Sequence, residues 1–458
     1  MLKLIKNELL KIFCRKSTYL VLLLAVGFVI LNNVIYKKSY NEEIKSETPT
    51  ETLKNQIVIL ENSNNVGFDY LQKVAEIELN ELSENYDNTW QKYAINNIIK
   101  NDISQKLMNG SLTSREDVLE KLVEFEQKLR EENWNWFLQL ELYNYNLTLE
   151  ESVVSEIEMK ILKLKRDWVE YRIKKGINYN GDSADLAIRQ NIEANVTLIT
   201  NINSLTDYEV QELKRDVAVS EFVAINDIDY FNRNNSNNYL LDMFYDYQMV
   251  IVIILLILCG TIISSEVSEK TIKMLLIKPY SRTKILLAKY ITSFIILVFS
   301  IIFVFLVQYI VGNVTFGFNS FLENIGIIYN YQTQVVSLVS NAKYLLIELL
   351  QFLPFFLIII SLYMVIGCLT FNNTLSIIAP LFLIFFSNTI NGLVVKHNIS
   401  FMKYFITLNW DLTEVFFYKT PNYSYLTLKG CIIVSCIYII LFALISIILF
   451  NKKDIRNT

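Results

Sequence analysis

Chemistry-bearing residues are scarce in this chain. It has a single histidine, His397, with no cluster of likely metal ligands around it, and His397 is read as a loop residue. The five cysteines, Cys14, Cys259, Cys368, Cys431 and Cys436, lie in or beside apolar runs. None falls between residues 41 and 247, so that interval cannot hold a disulfide. Cys431 and Cys436 lack the spacing of a metal or redox pair. Five prolines and 12 glycines in 458 residues exclude a collagen-like or a Pro/Gly-rich disordered chain. No G-x-x-x-x-G-K-[ST] occurs, so the chain carries no phosphate-cradling loop of its own. No nucleophile elbow or paired-acid cleft is visible either. The chain is therefore read as a non-enzyme with no catalytic, cofactor-binding or metal-binding residues.

What is present is apolar. Hydrophobic residues make up 52% and mean hydropathy is +0.31, too apolar for an ordinary soluble protein and too charged for an all-membrane one. Six stretches approach the roughly 20 helical residues that cross about 30 Å of hydrocarbon: Thr18–Tyr36, Gln248–Ser264, Ile285–Val311, Leu345–Leu369, Leu375–Val395 and Cys431–Phe450. No small-residue cleavage site follows the first, which reads as an uncleaved signal anchor. With the N-terminus inside, the short cytoplasmic segments carry fourteen Lys and Arg and the short external ones seven. That bias sets both termini in the cytoplasm and the protein in the plasma membrane, in contact with the lipid bilayer.

The expected fold is an all-α membrane protein of six transmembrane helices, with a large helical extracytoplasmic domain between the first and second. Residues 1–16 form a cytoplasmic interfacial helix, 17–36 the first span and 37–247 the external domain. Residues 248–458 hold spans two to six, with a cytoplasmic loop at 265–284. Residues 41–247 carry 21 Lys and Arg against 38 Asp and Glu, a net charge of −17. That charge repels phosphate backbones, so no nucleic-acid partner is expected; its many carboxylates read as solvated helix faces.

Helix starts in this domain are marked by capping boxes at Thr48–Glu51, Thr148–Glu151 and Thr206–Glu209, with a weaker one at Ser114–Asp117. The helix after Thr148 is expected to run to Lys174 and Lys175 and stop at Gly176. Val118, Leu122, Phe125 and Leu129, then Val154, Ile157, Ile161, Leu164 and Trp168, recur at helical spacing. Two helices of about 27 residues joined at Asn144–Leu147 then make a hairpin on the order of 40 Å long.

Two cytoplasmic segments are informative. In MLKLIKNELLKIFCRK, Leu2, Ile5, Leu9, Ile12 and Phe13 share one helix face and the basic residues lie elsewhere, as in a helix lying on the inner leaflet. In the second segment, Glu266 marks the exit from span two, because an acid at mid-bilayer costs about 3 kcal/mol. A short helix with Ile272, Leu275 and Leu276 on one side ends before Pro279. Ser281 caps a new helix leading into span three. The result is an elbow charged on one face, suited to docking a soluble partner that pushes on the spans. Pro354 and Pro380 are candidate kinks within spans four and five. The aromatic-rich loop 396–429 is read as an interfacial re-entrant segment.

These features resemble the ABC-2 type permeases, the transmembrane subunits of exporter-type ABC transporters. LIKNELLKIF resembles the interfacial helix of that family with its Lys-x-Glu core, here Lys6 and Glu8. Glu266…Thr271-Ile272…Leu275-Leu276…Pro279-Tyr280-Ser281-Arg282…Ile285…Lys289 resembles its loop signature, with Lys270 standing where the family usually has Gly. Phe450…Lys453-Asp454-Ile455 resembles its closing run. The resemblance implies an ATP-driven exporter subunit that passes an unidentified substrate through the membrane. Its partners are a cytoplasmic ABC ATPase subunit, which holds the ATP and magnesium, and a second permease subunit, identical or not. Glu266, Glu269, Lys273, Pro279, Arg282 and Lys284 are the expected ATPase-coupling residues. Two other readings stand beside it. One is a mechanotransmission-type ABC subunit acting on extracytoplasmic partners, a class that usually has four spans. The other is a membrane sensor or anchor, which would need a cytoplasmic signalling domain.

Overall fold

The computed structural model describes residues 1–42, 67–86, 89–151, 155–231, 236–260, 262–263, 280–318, 321, 325–331, 333–396, 400–416 and 426–452. The chain divides into two compact units, one of Met1–Ser39 with Arg233–Thr458, the other of Tyr40–Asn232.

The first unit opens with α1 (Leu2–Phe13) and α2 (Lys16–Glu42). It resumes with α3 (Ser236–Leu241), α4 (Met243–Cys259) and α5 (Arg282–Phe316), then α6 (Asn341–Thr370), α7 (Asn373–Lys396) and α8 (Leu428–Lys452). Five helices, α2, α5, α6, α7 and α8, are long and apolar enough to cross a membrane. On α8 the buried side chains reduce to Cys431, Ser435, Ser446 and Phe450, while Ile433, Ile437, Ile440, Leu444 and Ile448 stand exposed. An apolar surface of that extent needs hydrocarbon around it.

α4 differs. Its 17 residues span about 25 Å at 1.5 Å per residue, short of a full crossing. Eleven of them are buried, including the consecutive runs Val250–Val252 and Ile254–Leu256, while Tyr245 and Ile253 stand exposed, so protein covers most but not all of the helix. It is the central element of the unit, packed between α5 and α6. Pro354 and Pro380 both lie within continuous helices, α6 and α7.

The all-α expectation needs correction. Gly326–Asn330 and Val335–Val339 pair as an antiparallel hairpin, Gly326 opposite Val339 and Asn330 opposite Val335. Branched and aromatic side chains in Ile327-Ile328-Tyr329 and Val335-Val336 favour a pleated ribbon. The turn is closed by Asn330 Oδ1, which accepts from the Thr333 amide at 3.2 Å. Gly326 is required by close packing, since a Cβ there would lie 2.8 Å from the Tyr344 side chain.

The second unit is helical throughout its described residues. Its helices are α9 (Phe68–Glu84), α10 (Thr89–Tyr93) and α11 (Lys100–Met108), the last two joined through a π-helical turn at Ala94–Ile99. They continue as α12 (Arg115–Arg130), α13 (Trp134–Glu151), α14 (Glu156–Lys175), α15 (Ser183–Asn201) and α16 (Asp207–Asn226). Ile95, Ile99, Val118, Phe125, Leu129, Phe137 and Leu138 centre one apolar core. The boxes at Ser114–Asp117 and Thr206–Glu209 both form, and Gly176, at φ +71°, ends α14 in the left-handed conformation that glycine adopts without strain. The box expected at Thr48 lies outside the described residues.

The box at Thr148 does not form. Helix α13 runs straight through Asn144–Leu147, and the Thr148 hydroxyl donates to the Asn144 carbonyl at 2.8 Å within the helix. The real boundary is Ser155, boxed with Glu158. The expected pair of 27-residue helices is therefore one of 18 and 20 residues, broken earlier at Glu132, whose φ is +53°.

Nor are all the carboxylates solvated. Asp185, 0% exposed, binds Arg172 at 2.6 Å and Arg189 at 2.8 Å. The Arg172 guanidinium lies over the Tyr179 ring at 4.1 Å, and Tyr179 stacks on Tyr93 at 3.8 Å. Buried Glu141 accepts from the hydroxyls of Tyr179 at 2.6 Å and Tyr145 at 3.2 Å. Asp185 thus meets one buried and one partly exposed arginine, and Glu141 is held by two hydroxyls.

Residues 40–232 expressed alone should give a helical circular dichroism spectrum with no dependence on reductant. Arg172→Met leaves Asp185 short of one buried cation and should cost about 3 kcal/mol in a denaturant titration. Burial pushes the Glu141 carboxyl above its ordinary 4.5. The folded unit therefore holds a proton that the unfolded chain releases, so this contribution is complete below pH 4.5 and fades as pH rises through the folded value. Glu141→Gln should flatten that decline in a pH series of melting curves; an unchanged slope would assign it elsewhere.

Candidate functional site

The described parts of the three segments that resemble permease motifs, α1, residues 281–289 and residues 450–452, meet at one end of the first unit. Helix α1 is held at its junction with α2 by the Thr18 hydroxyl, which donates to the Ile12 carbonyl at 2.5 Å. It packs against α5, with the Phe13 and Phe299 rings edge to face at 5.2 Å. The buried side chains of α1 are Leu4, Ile5, Glu8 and Ile12, whereas Leu2 is 83% exposed. The protein-facing stripe is therefore centred on Glu8 and not on the aliphatic face that the sequence pattern emphasised.

Glu8 is 5% exposed and Lys289 of α5 is 1% exposed. Glu8 Oε2 lies 3.3 Å from Lys289 Nζ, and Glu8 Oε1 lies 3.3 Å from Lys11 Nζ. Lys289 Nζ also donates to the Ile262 carbonyl at 2.8 Å, just beyond the end of α4. One ammonium thus joins the N-terminal helix, the end of the central helix and the start of α5.

The start of α5 is capped as expected, Ser281 Oγ accepting from the Lys284 amide at 3.4 Å. Beside it Arg282 reaches the far end of the chain. Its Nη1 donates to the carbonyls of Asn451 at 3.0 Å and Phe450 at 3.4 Å, in the last turn of α8. A cation at a helix C-terminus meets both unsatisfied carbonyls and the negative end of the dipole. A second α5–α8 link pairs the hydroxyls of Tyr290 and Ser446 at 2.9 Å.

Of the sequence-derived residues, Glu8 and Arg282 are thus brought to one end of the unit. Lys6 and Lys284 are exposed there. Glu266, Glu269, Lys273, Pro279 and His397 lie outside the described residues. Pro354 and Pro380 sit within their spans and take no part in this cluster. Sequence reasoning counted Lys289 as a topological charge and as the last residue of the loop signature; its position after four apolar residues was the signal that it needs an internal partner.

Two further polar groups were missed. Asn33 of α2, Tyr247 of α4 and Gln308 of α5 form a buried triangle. Asn33 Nδ2 donates to Gln308 Oε1 at 2.9 Å and the Tyr247 hydroxyl to the same atom at 3.0 Å. Glu348 is a buried acid within α6, one of the five long apolar helices. Trp410, placed by sequence in a membrane-surface loop, is instead 4% exposed and packs edge to face on Phe355 at 5.1 Å.

Glu8→Gln or Lys289→Met strands one buried charge and should lower stability by about 3–5 kcal/mol, read as a loss of melting temperature in detergent. Combining Glu8→Leu with Lys289→Met removes both charges and should recover much of that loss. A double variant as unstable as the sum of the singles would show that the pair does not couple.

Comparison with known proteins adds family membership. "Uncharacterized protein YhcI" of Bacillus subtilis (strain 168) is 26% identical over 203 residues, 44% of this chain and 64% of that protein. The chain thus spans somewhat less than two thirds of the curated relative it matches. No solved structure matches. Residues 212–456, from within α16 of the second unit through the last apolar helix, match the family described as "Protein of unknown function (DUF2705)". That is more than half of the chain, and the protein belongs to the DUF2705 family.

Proposed function

We propose that this chain is the membrane-spanning permease subunit of an ATP-driven ABC exporter, moving a substrate out of the cell with a separate ATPase. The observation that carries the reading is the convergence of three distant segments on one end of the bundle through Glu8–Lys289 and Arg282–Asn451. A soluble motor delivers force at one face, and a permease needs its spans mechanically joined there. Arg282 ties the end of the 265–284 loop to α8, and Lys289 ties α1 to α5. A push on the loop then reaches α4, α5, α8 and α1 together. Within this reading Arg282 is a tether inside the permease, leaving Glu266 and Glu269 to face the ATPase.

In the proposed topology α2, α4, α5, α6, α7 and α8 are six spans. Both termini and the 265–284 loop are cytoplasmic, and the acidic second unit is outside. The central α4 is shorter than a full span in its described part, which suits a helix covered mostly by protein. Six apolar helices favour an exporter over a four-span force-transmitting subunit.

Two experiments bear on this. In a cysteine-free background, Asn203→Cys should react with an impermeant thiol reagent in intact cells and Asn7→Cys only after lysis. Labelling of Asn7→Cys in intact cells would reverse the orientation. Glu269→Lys should lower the yield of the complex with the cognate ATPase, or uncouple hydrolysis from transport, without changing membrane insertion. A desolvated interfacial charge left without its partner costs about 2–5 kcal/mol. Normal complex yield and normal hydrolysis in that variant would remove the loop as the docking point.

A further inference from the structure

A cavity of about 210 Å³ lies in the first unit between α4, α6, α7 and the 400–416 segment. Its wall includes Gln248, Phe355, Asn388, Asn391, Trp410 and Asp411. None of the twelve lining residues is Lys, Arg or His. Both hydrogen bonds to Asp411, from the Thr413 amide at 2.9 Å and the Thr413 hydroxyl at 2.5 Å, fall on Oδ1. Oδ2 is bonded by none of the described residues.

Glu348 lies on α6 two turns before Phe355 and is not itself part of the cavity wall. It is 6% exposed, and its Oε2 is buried without a hydrogen-bond partner among the described residues. One turn on, Gln351 Oε1 is in the same condition. A buried acceptor left unsatisfied costs about 1–3 kcal/mol, more when it carries charge. Among the described residues, then, this part of the unit holds buried acceptors without donors, and the cavity itself is lined by a carboxylate and no basic side chain. It also presents aromatic faces, Phe355 and Trp410 at right angles to each other. Carboxylate with aromatic rings is the environment that attracts an organic ammonium.

Size and ligand type narrow the choice. About seven water volumes fit such a cavity, far more than a bare metal ion fills. No group of three His, Cys, Asp or Glu placed to hold a metal ion exists among the described residues. We propose that this cavity binds a small organic cation, its ammonium group held by Asp411 and the aromatic walls of Phe355 and Trp410.

The inference does not depend on an ATPase partner, and its test uses the purified chain alone, so its failure and that of the exporter reading are separable. Full-length protein in a neutral maltoside detergent is dialysed against radiolabelled choline. Binding should saturate at one per chain. Tetramethylammonium should compete, and the neutral alcohol with carbon in place of the choline nitrogen should not. Asp411→Asn should weaken binding at least tenfold. Asn388 is an exposed residue of the wall; Asn388→Lys places a cation in the cavity and, with a circular dichroism spectrum and melting curve matching the parent, should weaken binding equally even where Asp411→Asn fails to fold. Absence of saturable choline binding, equal competition by the neutral alcohol, or unchanged affinity in Asn388→Lys would each overturn the proposal.

Discussion

The architecture of the first unit depends on a buried ion pair joining residues 281 positions apart, Glu8 and Lys289. Neither charge has enough water to be solvated, so each requires the other. That requirement fixes the register of a 12-residue helix that has little else to hold it. Apolar contacts alone would let α1 slide or rotate, since its leucines are satisfied equally by protein or by lipid. A buried pair of this kind is weak evidence for net stability, because desolvation offsets much of the attraction. Its contribution is specificity: a single seating of α1 on α5 satisfies Glu8. The Ile262 carbonyl on the same ammonium extends the constraint to the end of α4.

The same logic runs through the rest of the apolar bundle. Between helices whose surroundings are as oily as their interfaces, burial of hydrocarbon discriminates poorly between arrangements, and polar contacts select one. Asn33, Tyr247 and Gln308 tie α2, α4 and α5. Asn409 holds the last helix, its carbonyl accepting from Ser435 at 2.5 Å. Arg282 secures the end of α8 by a different device, a cation placed on a helix C-terminus. At Glu348 and Gln351, where acceptors are left without donors among the described residues, that polar accounting does not close.

The acidic unit shows the opposite balance. Water surrounds most of its charge, 20 Lys and Arg against 36 Asp and Glu over residues 40–232, a net −16, yet its interior holds Asp185 bound to buried Arg172 and Glu141 hydrogen-bonded beside stacked tyrosines. Asn191 adds a second internal clasp, its Nδ2 donating to the Val217 carbonyl at 2.9 Å while its Oδ1 accepts from Trp168 Nε1 at 2.9 Å. These contacts join α14, α15 and α16 with directional bonds, which suits a part that must keep its shape.

By itself, the sequence determined that several long apolar helices accompany a large acidic helical segment, because hydropathy acts through length and composition alone; its pattern reads as six spans where the structure has, among the described residues, five long apolar helices and a shorter one. It also determined the helix starts at Ser114, Thr206 and Ser281, where a hydroxyl or carboxylate two to three residues away satisfies the first free amides. Local patterns misled wherever a competing bond was available. Thr148 has the sequence of a cap, but its hydroxyl finds the Asn144 carbonyl and the helix continues. Short branched runs at Ile327 and Val335 give no periodic signal long enough to separate a hairpin from a loop. Only the tertiary structure decided that Glu8 meets Lys289, that Arg282 ends on the carbonyls of α8, that Asp185 lies between two arginines, and that Trp410 turns inward to wall a cavity. Each is a contact between residues far apart in the chain, and a charge buried by its partner reads, in one dimension, the same as a charge exposed to water.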